Sequence, residues 1–123
     1  MQDGGRVRVL IVDDDDAIRE FIATALGLEG CVVRTARDGR DALAVAEAWQ
    51  PDLIILDLNM PVMDGWTFRV AQRLVPDLAT VSVIVTSAGQ NLQVRRESLE
   101  PCTFLPKPFE LDSLYRAVKR YSR

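Results

Sequence analysis

The sequence contains no histidine. This absence excludes a Ser-His-Asp or Cys-His catalytic pair, a histidine-ligated zinc site and a phosphohistidine formed on the chain itself. Acid–base or metal chemistry must then come from carboxylates, hydroxyls, lysine and backbone oxygens. This donor set favours hard cations such as Mg2+ over softer transition metals.

Cysteine, lysine and long apolar runs are scarce as well. The two cysteines, Cys31 and Cys102, match no metal-binding spacing and lie beside short apolar runs, which predicts buried thiols in a reducing, cytoplasmic setting. Lysine occurs only at Lys107 and Lys119, so a lysine-specific role has two candidates. No apolar stretch approaches the roughly 20 residues of a membrane span, and residues 1–5 lack the apolar core of a signal peptide, so no membrane partner is expected.

Basic charge is also in deficit, with 15 basic residues against 18 acidic ones and a net charge of -3. The chain therefore offers no basic surface typical of nucleic-acid binding, and no direct nucleic-acid partner is expected. Its 123 residues suit one domain, since domains cluster near about 100–150 residues. We predict a single domain over residues 1–123, with residues 1–5 as a flexible N-terminal arm.

Short apolar runs alternate with longer stretches of helical period, and this alternation is typical of repeated β-α units. The predicted strands span residues 7–12, 31–35, 52–57, 81–85 and 103–105. The predicted helices span residues 15–28, 39–49, 65–75 and 111–121, with a short or mobile fourth helix within 90–101, where the apolar stripe is poor. In the third helix the apolar stripe consists of Phe68, Ala71 and Leu74.

The predicted fold is α/β, a doubly wound parallel sheet of five strands with five helices on its two faces. Such sheets have right-handed crossovers and bind ligands outside the carboxyl ends of their strands. Asp13 and Asp14 follow the first strand, Asp57 ends the third, Thr86 and Ser87 follow the fourth, and Lys107 follows the fifth. We therefore expect these residues at one edge of the sheet.

Three carboxylates at one edge would repel one another unless a cation neutralised them. Mg2+ typically uses one or two carboxylates together with phosphate oxygens, which suits Asp14, Asp57 and a nearby backbone carbonyl. With the metal, Lys107 and Thr86 would neutralise the oxygens of a phosphoryl group in transfer. Asp57 is then the expected nucleophile, because a carboxylate forms an aspartyl-phosphate without a separate base.

Each of these residues also has an ordinary structural explanation. The acidic run 13–16 would cap the first helix, and for Asp15 and Asp16 we keep that interpretation. Asp57 would be a turn residue, Thr86 a hydrogen-bonded hydroxyl at a strand end, and Lys107 a solvated charge between two prolines. The functional interpretation is favoured because complementary groups converge from four strand ends.

The sequence resembles the receiver domain of two-component response regulators over almost its whole length. Four motifs carry the resemblance in order: residues 9–15 (VLIVDDD), 56–66 (LDLNMPVMDGW), 83–88 (VIVTSA) and 105–109 (LPKPF). The resemblance implies a flavodoxin-like sheet of strand order 2-1-3-4-5. Strands two and five would then be opposite edges, which places Cys31 and Cys102 too far apart for a disulfide.

The resemblance also implies roles for the residues of the motifs. Asp57 would accept a phosphoryl group from a histidine kinase or a histidine phosphotransfer protein. The remaining implied roles concern the cation and the phosphate: Asp14, Asp57 and the Asn59 carbonyl bind Mg2+, Asp13 assists through water, and Lys107 contacts the phosphate from a cis Lys107-Pro108 peptide. The domain would signal to a downstream effector protein or domain, and homodimerisation on phosphorylation is left open.

A conformational switch is a further implication of the resemblance. Thr86 would be drawn to the phosphate while the ring of Phe104, three residues before Lys107, turns inward. Phe104 lacks the hydroxyl of the commoner tyrosine, so an inward ring loses less hydration, and we expect the switch to be biased or weakly coupled.

Two alternatives differ in function. Asp13-x-Asp15 after an apolar strand is similar to the nucleophile motif of haloacid-dehalogenase-type phosphatases, although Ala17 stands where a hydroxyl or β-branched residue is common and the chain is short for that fold. The other alternative is a degenerate receiver that acts only as a binding module. Because the phosphorylation residues are all present, this alternative needs evidence from outside the sequence. Failure to bind Mg2+ would support it.

Overall fold

A computed structural model describes residues 5–88 and 96–121 of the chain. These residues form a five-stranded sheet of order β2-β1-β3-β4-β5 in which every neighbouring pair is parallel. The strands are β1 (Arg8–Val12), β2 (Val32–Ala36), β3 (Leu53–Asp57), β4 (Ser82–Ser87) and β5 (Thr103–Pro106). The predicted doubly wound sheet and its strand order are confirmed.

Helices cover both faces of the sheet. They are α1 (Asp16–Leu28), α2 (Gly39–Trp49), α3 (Gly65–Leu74) and α4 (Leu111–Lys119), together with a 3-10 turn at Arg96–Ser98. The described residues thus hold four α-helices where five helices were predicted. The fourth helix was expected within residues 90–101. The first half of that segment, residues 90–95, lies outside the described part, and the second half contains only the 3-10 turn. The helix α4 is the one that was predicted as the fifth.

The central strands are buried because each supplies side chains to two core layers. In β3, Ile54 and Leu56 pack beneath α2 and α3, whereas Leu53 and Ile55 pack beneath α1 and α4. This alternation follows from the two-residue period of a strand, and apolar residues on both faces produce the continuous apolar run seen in the sequence. The sheet is therefore held rigidly between two layers, with its carboxyl edge free for chemistry.

The helix α3 turns a different face to the core from the one predicted. Phe68 is fully buried as expected, but Leu74 is 78% exposed, and Arg69 and Gln72 are buried instead. These polar side chains occupy the inner face because they find backbone carbonyl acceptors in the loops that precede β4 and β5. The predicted stripe is therefore wrong at Leu74.

The two cysteines lie at opposite edges of the sheet, Cys31 just before β2 and Cys102 just before β5. Both are free thiols, as expected from the strand order. They are half-buried rather than buried, because an edge strand has a neighbour on one side only. Burial is nevertheless the main factor that raises the pKa of each thiol.

Aspartates begin three of the four helices. The side chains of Asp15, Asp38 and Asp64 each accept a hydrogen bond from the backbone N–H three residues further on, at 2.8–3.1 Å. The capping interpretation is thus confirmed for Asp15, while Asp16 lies in the first turn and forms an ion pair with Arg19. In the described residues, no helix has both the length and the apolar character needed to cross a membrane.

Candidate functional site

The carboxyl edge of the sheet brings together side chains that are far apart in the sequence. Asp13 and Asp14 follow β1, Asp57 ends β3, and Thr86 stands beside Asp57 in the register of β4. A backbone hydrogen bond of 2.9 Å from the Lys107 N–H to the Ser87 carbonyl holds the end of β5 against β4. Carboxylate oxygens of the three aspartates lie within 4.8 Å of one another.

Lys107 places an ammonium group among these carboxylates. Its Nζ donates to Asp13 Oδ2 at 2.8 Å and lies 3.5 Å from Asp57 Oδ1. Burial disfavours the charged lysine, but the hydrogen bond to Asp13 and the negative charges of Asp57 and Asp13 outweigh it and raise the pKa of Lys107. Lys107 is therefore a permanent positive charge at this edge near neutral pH.

Asp13 is the most firmly held of the three carboxylates. It is 1% exposed, its Oδ2 accepts from Lys107, and its Oδ1 accepts from the Asp15 backbone N–H at 2.9 Å. Its own backbone carbonyl accepts from Arg19 at 2.8 Å, a contact that the sequence pattern did not indicate. Asp14, in contrast, is exposed to solvent. The inner carboxylate is thus fixed by the protein, and the outer one is open to a ligand.

Asp57 is 5% exposed at the end of a fully buried strand. Burial raises its pKa from 3.8 to about 6; the Lys107 ammonium opposes this rise, and the charges of Asp13 and Asp14 add to it. The ionised form of Asp57 is therefore disfavoured in the folded domain, mainly because burial removes its hydration. A cation beside Asp57 would relieve the repulsion from Asp13 and Asp14.

The loop after Asp57 folds back closely on the strand end. The Gly65 N–H donates to the Leu58 carbonyl at 3.0 Å, and a Cβ at Gly65 would lie 2.5 Å from the Asp57 carbonyl oxygen. Val62, a β-branched residue, has a φ of 67° in the left-handed region, so this loop is held in a strained conformation. Asn59 is exposed within the loop, two residues from Asp57.

The role of Gly65 in this loop was not predicted, although the Asp-Gly pair in the motif signalled a tight turn. No side chain larger than hydrogen fits at Gly65 without moving the backbone of Asp57 and Leu58. The Lys107-Pro108 peptide is cis, as the resemblance implied.

The residues predicted to form the switch lie on neighbouring strands. Thr86 is 1% exposed, and its hydroxyl donates to the Leu56 carbonyl over a long 3.5 Å, so the group is weakly held and available to another acceptor. Phe104 is half-buried opposite Val85 and packs against the core layer beneath α2 and α3. The guanidinium of Arg96 lies 4.1 Å from the centre of the Phe104 ring, a contact that was not predicted.

The sequence matches the family model of the response regulator receiver domain over residues 9–119. This chain belongs to that family. It is a receiver domain of two-component response regulators and so part of a signalling system. Family membership confirms the fold class and the general function expected from the four motifs, and it argues against the haloacid-dehalogenase alternative.

One curated relative and two solved structures illustrate the family. This chain is 41% identical over 118 residues to the transcriptional regulatory protein PrrA of Mycobacterium tuberculosis. The aligned region covers 94% of this chain and 50% of PrrA. The chain spans about half the length of the curated relatives it matches.

Two solved structures of similar proteins cover nearly all of this receiver domain. Chemotaxis response regulator CheY4 of Vibrio cholerae gives a TM-score of 0.86 at 32% identity, with 94% of this chain and 98% of that chain covered. The receiver domain of sensor histidine kinase PA1611 of Pseudomonas aeruginosa gives a TM-score of 0.83 at 28% identity, with 94% and 97% covered. In that protein a magnesium ion is coordinated in the active site cleft.

Proposed function

We propose that this receiver domain accepts a phosphoryl group on Asp57 in a Mg2+-dependent reaction. The observation that carries the proposal is the convergence of three carboxylates within 4.8 Å, with Lys107 between Asp13 and Asp57. We assign Asp57 as the acceptor because it ends the central strand β3 and lies close to both Lys107 and Thr86. The product is a signalling state rather than a released metabolite.

The chemical step is a displacement at phosphorus. An ionised Asp57 oxygen forms a bond to the phosphorus of a donor phosphohistidine, the P–N bond breaks, and the leaving imidazole takes up a proton. With a pKa of about 6, Asp57 is largely in the nucleophilic, ionised form at pH 7. Lys107 and the Thr86 hydroxyl would contact the oxygens of the transferred group, and we assign both as catalytic residues.

The residues of the site fit a magnesium ion. Mg2+ requires oxygen ligands and a surplus of negative charge, and the three clustered carboxylates face a single ammonium group. Asp14, Asp57 and the Asn59 carbonyl would hold the ion, and Asp13 would assist through water. When bound, the ion neutralises charge on the phosphoryl oxygens. The magnesium site of the similar PA1611 receiver domain supports this assignment.

The partners follow from what this chain contains. It has no histidine, so the phosphohistidine donor must lie outside it, on a histidine kinase or a histidine phosphotransfer protein. Phosphorylation would draw Thr86 toward the phosphate and shift Phe104, and a downstream effector protein or domain would read the change. We place this signalling in the cytoplasm. Homodimer formation on phosphorylation is a second candidate output.

Phosphorylation with an acyl-phosphate donor and Mg2+ tests the proposal by mass spectrometry. The wild type should gain one phosphate, about 80 Da, and Asp57→Asn should gain none. Asp38→Asn is the matched control, because asparagine caps a helix as well as aspartate and this variant should be labelled normally. Equal labelling of Asp57→Asn and the wild type would overturn the assignment of Asp57.

The two lysines provide a test of the catalytic assignment. Lys107→Ala should slow labelling by about tenfold or more, because an ammonium beside the transferred group is lost. Lys119→Ala, an exposed position on α4, should label at the wild-type rate. A receiver domain that binds no Mg2+ at millimolar concentration and takes up no phosphoryl group would instead be a binding module.

A further inference from the structure

A cavity of about 480 Å³ opens at the edge of the sheet opposite Asp57. It lies where β4 and β5 begin, so the length of the sheet separates it from the phosphoacceptor site. Its walls come from α3, from the chain around the starts of β4 and β5, and from Tyr121. A cavity of this volume suits a small organic molecule, since small-molecule sites span roughly 300–1,000 Å³.

Arg69 of α3 lines this cavity and is 3% exposed. Its Nε and Nη2 donate to the Leu99 carbonyl at 3.0 and 2.6 Å, and Nη2 also donates to the Pro101 carbonyl at 2.9 Å. Its Nη1 donates to Gln72 Oε1 at 2.7 Å. All these acceptors are neutral, whereas a buried charge is normally paired with an opposite charge.

The positive charge of Arg69 is thus not neutralised within the described ranges 5–88 and 96–121, where no carboxylate forms an ion pair with it. One of the two Nη1 N–H groups also lacks an acceptor among these residues, because Nη1 makes a single hydrogen bond. Burial and the neighbouring Arg73 lower the pKa of Arg69, an effect that the Cys102 thiol opposes in part. An anion in the cavity would supply the missing countercharge.

Arg73 places a second guanidinium on the cavity wall, one turn further along α3. It is exposed, and its Nη2 donates to the neutral Glu100 carbonyl at 2.8 Å. The Glu100 carboxylate forms an ion pair with Arg96 instead, at 3.6 Å. No Asp or Glu is among the described residues that line the cavity.

The rest of the wall combines hydroxyls with apolar surface. The Thr103 and Tyr121 hydroxyls lie 2.6 Å apart, so one of them still has a proton to donate elsewhere. The other lining residues, apart from Arg69 and Arg73, are Ala79, Thr80, Val81, Ser82, Val83, Pro101 and Cys102. Two cations, several hydroxyls and apolar walls together match a molecule with an anionic head and an apolar body.

We propose that this cavity binds a small organic anion, with its anionic group on Arg69 and Arg73 and its apolar part against the walls at the starts of β4 and β5. Among the described residues, the cavity and the phosphoacceptor site have none in common. The anionic group is a carboxylate, sulfonate or phosphate, since all three accept hydrogen bonds from guanidinium groups.

Benzenesulfonate is a suitable probe, because it carries an anion and an apolar ring and cannot donate a phosphoryl group. In a two-dimensional NMR titration of 15N-labelled protein, amide shifts should saturate for residues 79–83, 102 and 103, with a Kd below about 1 mM. The amides of Asp13, Asp57 and Lys107 should not move. No saturable shift up to about 10 mM, or shifts centred on Asp57, would overturn the proposal.

Variants of the protein and analogues of the probe separate the contribution of the guanidinium groups to binding from that of the apolar walls. Arg73→Gln should weaken binding by about tenfold, whereas Arg116→Gln, an exposed arginine of α4, should leave the Kd within about twofold of wild type. Uncharged benzenesulfonamide should bind about tenfold more weakly, and inorganic sulfate should bind more weakly than benzenesulfonate. Equal affinity in Arg73→Gln and the wild type would contradict the role of the guanidinium, and equal affinity of sulfate would contradict the role of the apolar walls.

Discussion

The surroundings of Asp57 disfavour the ionised form of its side chain. Its pKa of about 6 in the folded domain lies above its ordinary value of 3.8, mainly because of burial. The folded state therefore binds a proton more tightly than the unfolded state does. The associated stability is fully present below about pH 4 and is lost as the pH rises through 6, so ionisation of Asp57 destabilises the metal-free domain at neutral pH.

Asp57→Asn should therefore stabilise the metal-free domain at pH 7. We expect a gain in unfolding free energy on the order of 1–3 kcal/mol, because an amide of the same shape replaces a buried charge and Lys107 keeps Asp13 as its partner. At pH 4 the gain should almost vanish. Urea denaturation with a chelator at both pH values measures this difference, and the same gain at pH 4 and pH 7 would contradict the raised pKa.

Gly65 sets the shape of the loop that follows Asp57. Gly65→Ala should lower the unfolding free energy by about 2–4 kcal/mol, because its Cβ would meet the backbone of Asp57 and Leu58 at 2.5 and 2.9 Å. It should also slow phosphorylation, since Asp57 must shift. Gly27→Ala in α1 is the matched control: its Cβ meets nothing within 4 Å, and it should stabilise by about 0.5–1 kcal/mol. Equal thermal stability of the two variants would show that the loop yields easily.

Among the helices, α4 differs from the others at its start. Glu110 occupies the N-cap position in an extended conformation and makes no side-chain capping hydrogen bond, whereas aspartates cap α1, α2 and α3. Glu110→Asp keeps the charge and shortens the side chain to capping length. It should raise the unfolding free energy by about 0.5–1 kcal/mol in chemical denaturation.

The reverse substitution provides the control for this capping prediction. Asp38→Glu at the start of α2 lengthens a side chain that now caps at 2.8 Å, and it should destabilise by about 1 kcal/mol. If Glu110→Asp and Asp38→Glu shift stability in the same direction, side-chain length at the N-cap is not what limits α4.

At the scale of helices and strands, the sequence predicted the features that follow from hydrophobic periodicity and from the residues that end an element. The run between Asp52 and Asp57 is apolar at every position, which identified a central strand covered on both faces. The inner face of α3 was not predictable in this way. Arg69 and Gln72 are buried because they donate hydrogen bonds to backbone carbonyls near β4 and β5. Hydrophobic periodicity takes into account only the side chains of the helix, so it gives no information about these acceptors.

At the scale of the whole molecule, topology made the site predictable and loop packing did not. Parallel strands in one sheet must end at one edge, so Asp13, Asp57 and Lys107 were expected together. The choice of Asp13 over Asp57 as the closer partner of Lys107, at 2.8 against 3.5 Å, depends on how two loops settle against each other. The cavity beside Arg69 likewise depends on contacts between distant loops.

The charge balance of the domain gives a prediction for magnesium. Three carboxylates face one ammonium at the carboxyl edge, so a divalent cation should bind the folded state and not the unfolded chain. By linkage, Mg2+ at ten times its Kd should raise the unfolding free energy by about 1.4 kcal/mol. Thermal melts with and without Mg2+, at constant ionic strength, measure this gain.

Asp14→Asn is the decisive variant for this gain, because Asp14 is the exposed carboxylate left open to an ion. The metal-free form should melt higher than wild type, since one repelling charge is removed, but Mg2+ should then add almost nothing. Asp16→Asn, which removes a nearby exposed carboxylate paired with Arg19, should keep the full response to Mg2+. An equal response in both variants would mean that Mg2+ acts by screening the acidic edge, and that Asp14 is not a ligand.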